Sequence, residues 1–224
     1  MKIKYFIPLC IFFLFISTLA ESQVIMMGRM PRYRMRPPRS KTQPKQKQPK
    51  FEPSVNLSLG YGFPNGDKNY LPSYYNEYNS GTMQSGPFTG AIDYRFSRNM
   101  SLGILVTHGM LKAPYYNYGS FSGIPDFNFK TDNWAFMLNM LHYIPVQGAK
   151  NIMPYTRIAV GFNVWTQNYT DASGNKISMP PADLPDLAYQ LSLGAQIKMS
   201  KNAGFFLEAG YGKYILNGGL TFKF

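Results

Sequence analysis

From Ser54 to Phe224, apolar residues alternate with small or polar ones in short runs, and each run is closed by a break. In the first run, residues 54–63, Val55, Leu57, Leu59, Tyr61 and Phe63 oppose Asn56, Ser58, Gly60 and Gly62. The same period returns over residues 88–96, 100–110, 133–144, 155–165, 187–199, 205–211 and 216–224. Successive side chains of a strand point to opposite faces, so a period of two predicts strands. No stretch after the N-terminal segment carries a helical period, so eight strands are expected.

The breaks alternate in length. Residues 97–99, 145–152 and 200–204 make short connections, whereas 64–87, 111–132 and 166–186 make long ones; 212–215 is a short exception. Short turns at one end and long loops at the other predict an up-and-down antiparallel barrel. The composition of the two faces then chooses between water and lipid. The non-apolar parity is mostly Gly, Ser, Ala, Asn and Thr with few Lys or Glu, a poor surface for water but a good filling for a narrow lumen. A soluble eight-stranded barrel of the lipocalin kind would turn its apolar parity inward and need a charged exterior. Here the apolar parity is expected to face lipid. Tyr61, Phe63, Phe96, Tyr155, Trp165, Phe222 and Phe224, near strand ends, are expected to form interfacial girdles. The fold class is therefore all-β: an eight-stranded antiparallel up-and-down transmembrane β-barrel with an extended basic N-terminal arm.

The last strand carries a further signal. Leu216, Gly218, Leu220, Phe222 and Phe224 share one parity, and the chain stops on an aromatic ring with nothing after it. Asn217, then Gly219, then Phe222 and Phe224 resemble the C-terminal insertion signal of bacterial outer-membrane proteins. With the strand count and loop asymmetry, residues 54–224 resemble the small eight-stranded outer-membrane barrels of the OmpX and OmpA transmembrane-domain type. That resemblance implies the outer membrane of a Gram-negative cell, contact with its lipid and lipopolysaccharide, and handling by the barrel-assembly machinery. It also implies a periplasmic N-terminal arm and long loops outside. The arm departs from the family pattern, and no peptidoglycan-binding domain follows the barrel.

The N-terminal segment agrees with export. Lys2 and Lys4 precede an apolar run over residues 5–16, and Ser17-Thr18-Leu19-Ala20 follows, the layout of a signal peptide over residues 1–22. The only cysteine, Cys10, lies inside it, so the mature chain has no disulfide, thiolate ligand or cysteine nucleophile. The formal charge of +12 is uneven. Residues 24–53 carry nine Lys/Arg against Glu52 alone, while residues 54–224 carry twelve against nine acids. Residues 23–53 thus form a basic, proline-rich arm that cannot bury enough apolar surface to order itself. Such an arm suits anionic lipid or an acidic partner; nucleic acid is not a partner expected of an exported chain.

Five charges lie on the inward parity: Asp93, Arg95, Arg157, Glu208 and Lys223. In a lumen only wide enough for side chains they are expected to pair into a network, with Glu208 and Lys223 as near cross-strand neighbours. Tyr70, Tyr74, Tyr75 and Tyr78 crowd the first long loop, and Tyr115, Tyr116 and Tyr118 the second. Rigid rings with polar tips suit a recognition surface. His108 is the one histidine near the outer interface, but no serine follows at the spacing of a lipid A deacylase. The acids Asp171, Asp183 and Asp186 are scattered through a loop, and no cofactor motif occurs. The expected function is non-enzymatic: structural support or protein interaction, as accessory subunit of a larger outer-membrane complex. A narrow porin-like channel and a lipid A-modifying enzyme are the alternatives.

Overall fold

The computed structural model describes residues 51–71, 83–116, 125–146 and 151–224. The signal segment, almost all of the arm, and Tyr74, Tyr75, Tyr78 and Tyr118 lie outside these residues. Eight strands run in chain order: β1 (Ser54–Asn65), β2 (Met83–Arg95), β3 (Met100–Tyr115), β4 (Phe127–Tyr143), β5 (Ile152–Asp171), β6 (Leu187–Lys198), β7 (Ala203–Gly212) and β8 (Tyr214–Lys223). Each pairs antiparallel with the next, and β8 returns to β1, so the sheet closes without an edge. The closing ladder runs from Asn56 opposite Lys223 to Asn65 opposite Tyr214. Beyond it, the Phe224 N–H donates to the Val55 carbonyl at 2.8 Å, and the Phe224 carbonyl accepts the Val55 N–H at 3.1 Å. Phe224 is thus part of the seam.

The faces fall as the period requires. Leu59, Ile92, Ile104, Leu138, Phe162, Leu193 and Leu207 all point outward and are more than half exposed, Leu138 at 71%. Between them the inward parity is closed to solvent. The lumen is filled in tiers: Leu141, Tyr143 and Tyr155 near the short-turn end, then Ala91, Leu105, Ala135, Met137, Ala159 and Ala188. A third cluster, Leu71, Leu111, Ala113, Phe129 and Tyr169, closes the long-loop end. Small residues dominate the middle tier because eight strands leave room for little else.

Two expectations are corrected. Much of the predicted second and third long loops is strand: β4 spans 17 residues and β5 spans 20, well beyond the ~10 that cross a bilayer. The inward alternation continues through Leu111, Ala113, Phe129, Thr131 and Tyr169, while Lys112, Pro114, Lys130 and Asp132 break the outer one. Once a strand leaves the apolar belt its outer face turns polar, and the alternation fades although the strand does not. Second, Tyr155 and Trp165 are not girdle residues. They share the parity of Arg157 and Asn163; Tyr155 is fully buried in the lumen, and Trp165 is half-buried at its mouth.

Candidate functional site

The centre of the lumen is organised on Glu208. Tyr155 and Arg157 leave β5 on one face, Arg157 stands opposite Ser192 of β6, and Glu208 of β7 stands opposite Gly194. The Tyr155 and Tyr214 hydroxyls each donate to the Glu208 carboxylate at 2.6 Å, one to each oxygen. The Arg157 Nε lies 3.0 Å from Oε1 as an ion pair in which the N–H is not aimed along the contact. Ser192 adds a long hydrogen bond at 3.5 Å. Both charged side chains are almost wholly buried. A carboxylate removed from water is tolerated only with such saturation by donors and a counter-charge.

Tyr214 reaches this cluster through a shift of parity in β8. Ile215 and Leu216 are both exposed, so Tyr214 and Asn217 both face inward. Asn217 accepts from the Thr89 hydroxyl at 3.2 Å. Gly219, two residues on, lies against β1: a Cβ there would stand 2.0 Å from the Leu59 carbonyl oxygen. Phe222 is half-buried and Phe224 is 77% exposed on the outer face, so the C-terminal motif is spread over lumen, seam and belt.

The five inward charges do not form one network: Asp93, Arg157 and Glu208 feel one another in the buried lumen, whereas Arg95 and Lys223 stand apart. Asp93 is buried and accepts from Asn139 at 2.6 Å. Arg95 sits at the short-turn rim, donating to the carbonyls of Ser97 and Arg98 and lying 4.1 Å over the Tyr143 ring. Lys223 corrects the expectation most plainly. Glu208 pairs in register with Asn217, and Lys223 is six positions further along, opposite Asn56 and exposed. Adjacent strands made them look close; the register set them apart.

A second buried ion pair, which alternation does not reveal, caps the other end. After β1 a 3-10 helix (Gly66–Tyr70) turns in over the mouth, with the Asn65 side chain accepting the Asp67 amide at 3.1 Å. Lys213, the single residue between β7 and β8, donates to Asp67 at 2.7 Å, and both side chains are about 3% exposed. Asn133 donates to the other Asp67 oxygen at 2.9 Å, and the ammonium lies 5.3 Å from the Trp165 ring centre. Burial holds the Lys213 ammonium below the ordinary lysine range, and the Asp67 carboxylate opposes that shift. Close backbone approach makes this possible: a Cβ on Gly66 would stand 1.9 Å from the Gly212 carbonyl oxygen. Gly212 itself has φ +132°, which disfavours any residue with a side chain. The one hint in the sequence was a lysine in the shortest loop-side connection.

Of the loop tyrosines, Tyr70 packs edge-on to Trp165 at 6.5 Å and Tyr115 stacks on Phe127 at 4.5 Å, while Tyr116 is half-buried. The connection after β5 folds back as a clasp. The Gln167 side chain bonds both the amide and the carbonyl of Ala182, and Trp165 and Tyr169 donate to the carbonyls of Pro185 and Pro180. Asp171 spends its carboxylate on Asn175. Among the described residues no group of three acids or histidines is placed to hold a metal ion. His108 faces outward and stacks on Trp134 at 4.3 Å, with Nδ1 3.3 Å from the Asn133 carbonyl oxygen.

No protein-family model matches the chain, and no curated protein matches it in sequence. Among solved structures, a de novo designed transmembrane β-barrel aligns with 76% of this chain and 95% of its own, at 14% identity and a TM-score of 0.36. The N-terminal β-barrel domain of Pseudomonas aeruginosa OprF aligns at 12% identity, 76% and 97% coverage and a TM-score of 0.40. The attachment invasion locus protein Ail of Yersinia pestis aligns at 9% identity, 76% and 94% coverage and a TM-score of 0.35.

Proposed function

We propose that this protein is a non-conducting outer-membrane barrel that works as a structural or interaction module, with its long-loop end outside and its basic arm in the periplasm. The observation that carries the reading is the sealed lumen. Three apolar tiers, the Glu208 cluster and the Asp67–Lys213 cap leave the interior to side chains. An interior of that kind offers no continuous water column, and the belt of exposed Leu, Ile, Val and Phe is a surface that only lipid satisfies. What remains for recognition is the two ends. Among the described residues of the loop end, Tyr70, Trp165, Tyr115 and Phe127 are held in ring contacts and the connection after β5 is tied down. Rigid aromatic surface loses little entropy on binding. The arm, with nine cations in residues 24–53, suits an acidic partner, which fits an accessory subunit of a larger assembly.

Two measurements test this. Planar bilayers containing the inserted protein should show no unitary conductance steps; steps that persist with pure protein would make it a narrow channel. Affinity purification from detergent-solubilised outer membrane should recover a partner with the full chain and lose it without residues 24–53. Recovery of the barrel alone in both cases would remove the accessory-subunit reading.

A further inference from the structure

The outer face of the long-loop end carries an arrangement that β-sheets normally avoid. Lys112 of β3 and Lys130 of β4 stand directly opposite each other in register. Both are exposed and both share the outward parity of Ile104, Trp134 and Leu138. Directly opposed side chains on antiparallel strands have Cβ atoms about 5 Å apart, and like charges at that distance repel. Asp132 offsets this in part, 3.5 Å from the Lys130 ammonium on the solvated surface. Among the described residues Lys112 forms no ion pair. One carboxylate against two ammoniums leaves a net positive charge. The next residue in the same row, across β5, is Asn168, whose amide adds a donor.

Height along the barrel says what the pair would meet. His108 and Trp134 face each other in register and stack, as aromatic residues do at a lipid–water boundary. At the other end Met100 pairs with His142, eight residues along β4 from Trp134. At about 3.4 Å per residue and a tilt near 40°, that separation is about 21 Å of membrane normal, close to the ~25 Å belt of such barrels. Lys112 and Lys130 lie four residues beyond the aromatic row, about 10 Å above it by the same geometry, and flexible lysine stems can reach back down. That is the headgroup layer.

We propose that Lys112, Lys130 and Asn168 form a phosphate-binding site on the lipid-facing wall of the barrel, filled by the phosphorylated sugar headgroup of an outer-leaflet glycolipid. Two ammoniums about 5 Å apart at their bases can close on one phosphate, which turns their mutual repulsion into a shared attraction. The proposal rests on the reading that this end of the barrel faces outward in a membrane.

The test uses the full mature chain refolded into phosphatidylcholine vesicles. These are compared with vesicles that also hold, in both leaflets, a bisphosphorylated lipid A-type glycolipid or its dephosphorylated form. The urea midpoint is read from tryptophan fluorescence, and retention of the glycolipid after detergent extraction is measured alongside. The wild-type midpoint should rise with the phosphorylated glycolipid and not with the dephosphorylated one. Lys112→Gln/Lys130→Gln should lose most of that rise and weaken retention at least tenfold, yet match or exceed wild type in phosphatidylcholine alone, where repulsion has been removed. Lys112→Arg/Lys130→Arg should restore the rise. An equal rise in wild type and the Gln variant overturns the site. A rise produced by millimolar inorganic phosphate alone overturns the lipid assignment in favour of a soluble ligand. Glycolipid in both leaflets makes the readout independent of orientation, which protease protection of the arm reports separately. Failure to insert would instead count against the membrane reading itself.

Discussion

Replacing Arg157 with leucine should expose the electrostatics of the lumen. The guanidinium is 3.0 Å from a carboxylate that is fully buried. Removing one member of a buried pair costs about 3–5 kcal/mol, because the other charge is left uncompensated. Glu208 keeps two hydroxyl donors at 2.6 Å, each worth roughly 1.5–3 kcal/mol to a charged acceptor, so Arg157→Leu belongs near the low end, about 3 kcal/mol. Glu208→Leu should cost more, about 4–5 kcal/mol, since it strands a buried guanidinium and leaves two buried phenols without their acceptor. The double variant should cost less than the two added, with a coupling of about 2–3 kcal/mol. Urea unfolding in lipid vesicles, followed by the fluorescence of Trp134 and Trp165 and shown to be reversible, supplies all four corners of the cycle. A loss below about 1 kcal/mol for Arg157→Leu, or a coupling within about 0.5 kcal/mol of zero, would refute the view that the pair is desolvated.

At the cap, Lys213→Met should release the 3-10 helix and raise quenching of Trp165 by iodide at least twofold; unchanged quenching would mean that the ion pair does not hold the mouth closed. Gly66→Ala has no room for its methyl group against Gly212, so the heat-modifiable folded band on unheated gels should fall sharply relative to wild type. Gln167→Ala removes two hydrogen bonds to Ala182, worth about 1 kcal/mol each, and should expose the connection after β5 to proteolysis while the barrel stays intact. Deleting Phe224 removes two backbone hydrogen bonds from the seam with β1 and should slow assembly into vesicles; an unchanged folding rate would confine that residue to the belt.

The strands and their faces were legible because a barrel wall writes its environment into the chain. Each residue meets either lipid or packed lumen, so the period of two persists wherever the wall lies inside the belt. It fades at Lys112 and Lys130, where the outer face meets polar surroundings, so alternation alone ends these strands too early. Tyr155 and Trp165 stay out of the girdle for another reason: parity outweighs nearness to a strand end, and they share the inward parity of Arg157 and Asn163. The pairing of Glu208 with Lys223 needed a register, and no alternation supplies one between two strands. The Asp67–Lys213 cap joins residues 146 apart, and its carboxylate comes from a segment with no period at all.

The amino-acid order is enough to specify eight strands over residues 54–224 and the apolar face of each. These follow from local alternation, since side-chain direction in a strand is fixed by position alone. Which charges meet is fixed only when the barrel closes. Glu208 is satisfied by residues from three other strands, Asp67 by a lysine from the far end of the chain, and Lys112 faces Lys130 across a ladder. Distances of that kind depend on how far each strand slides against the next before the barrel closes, and a slide is a property of the whole ring.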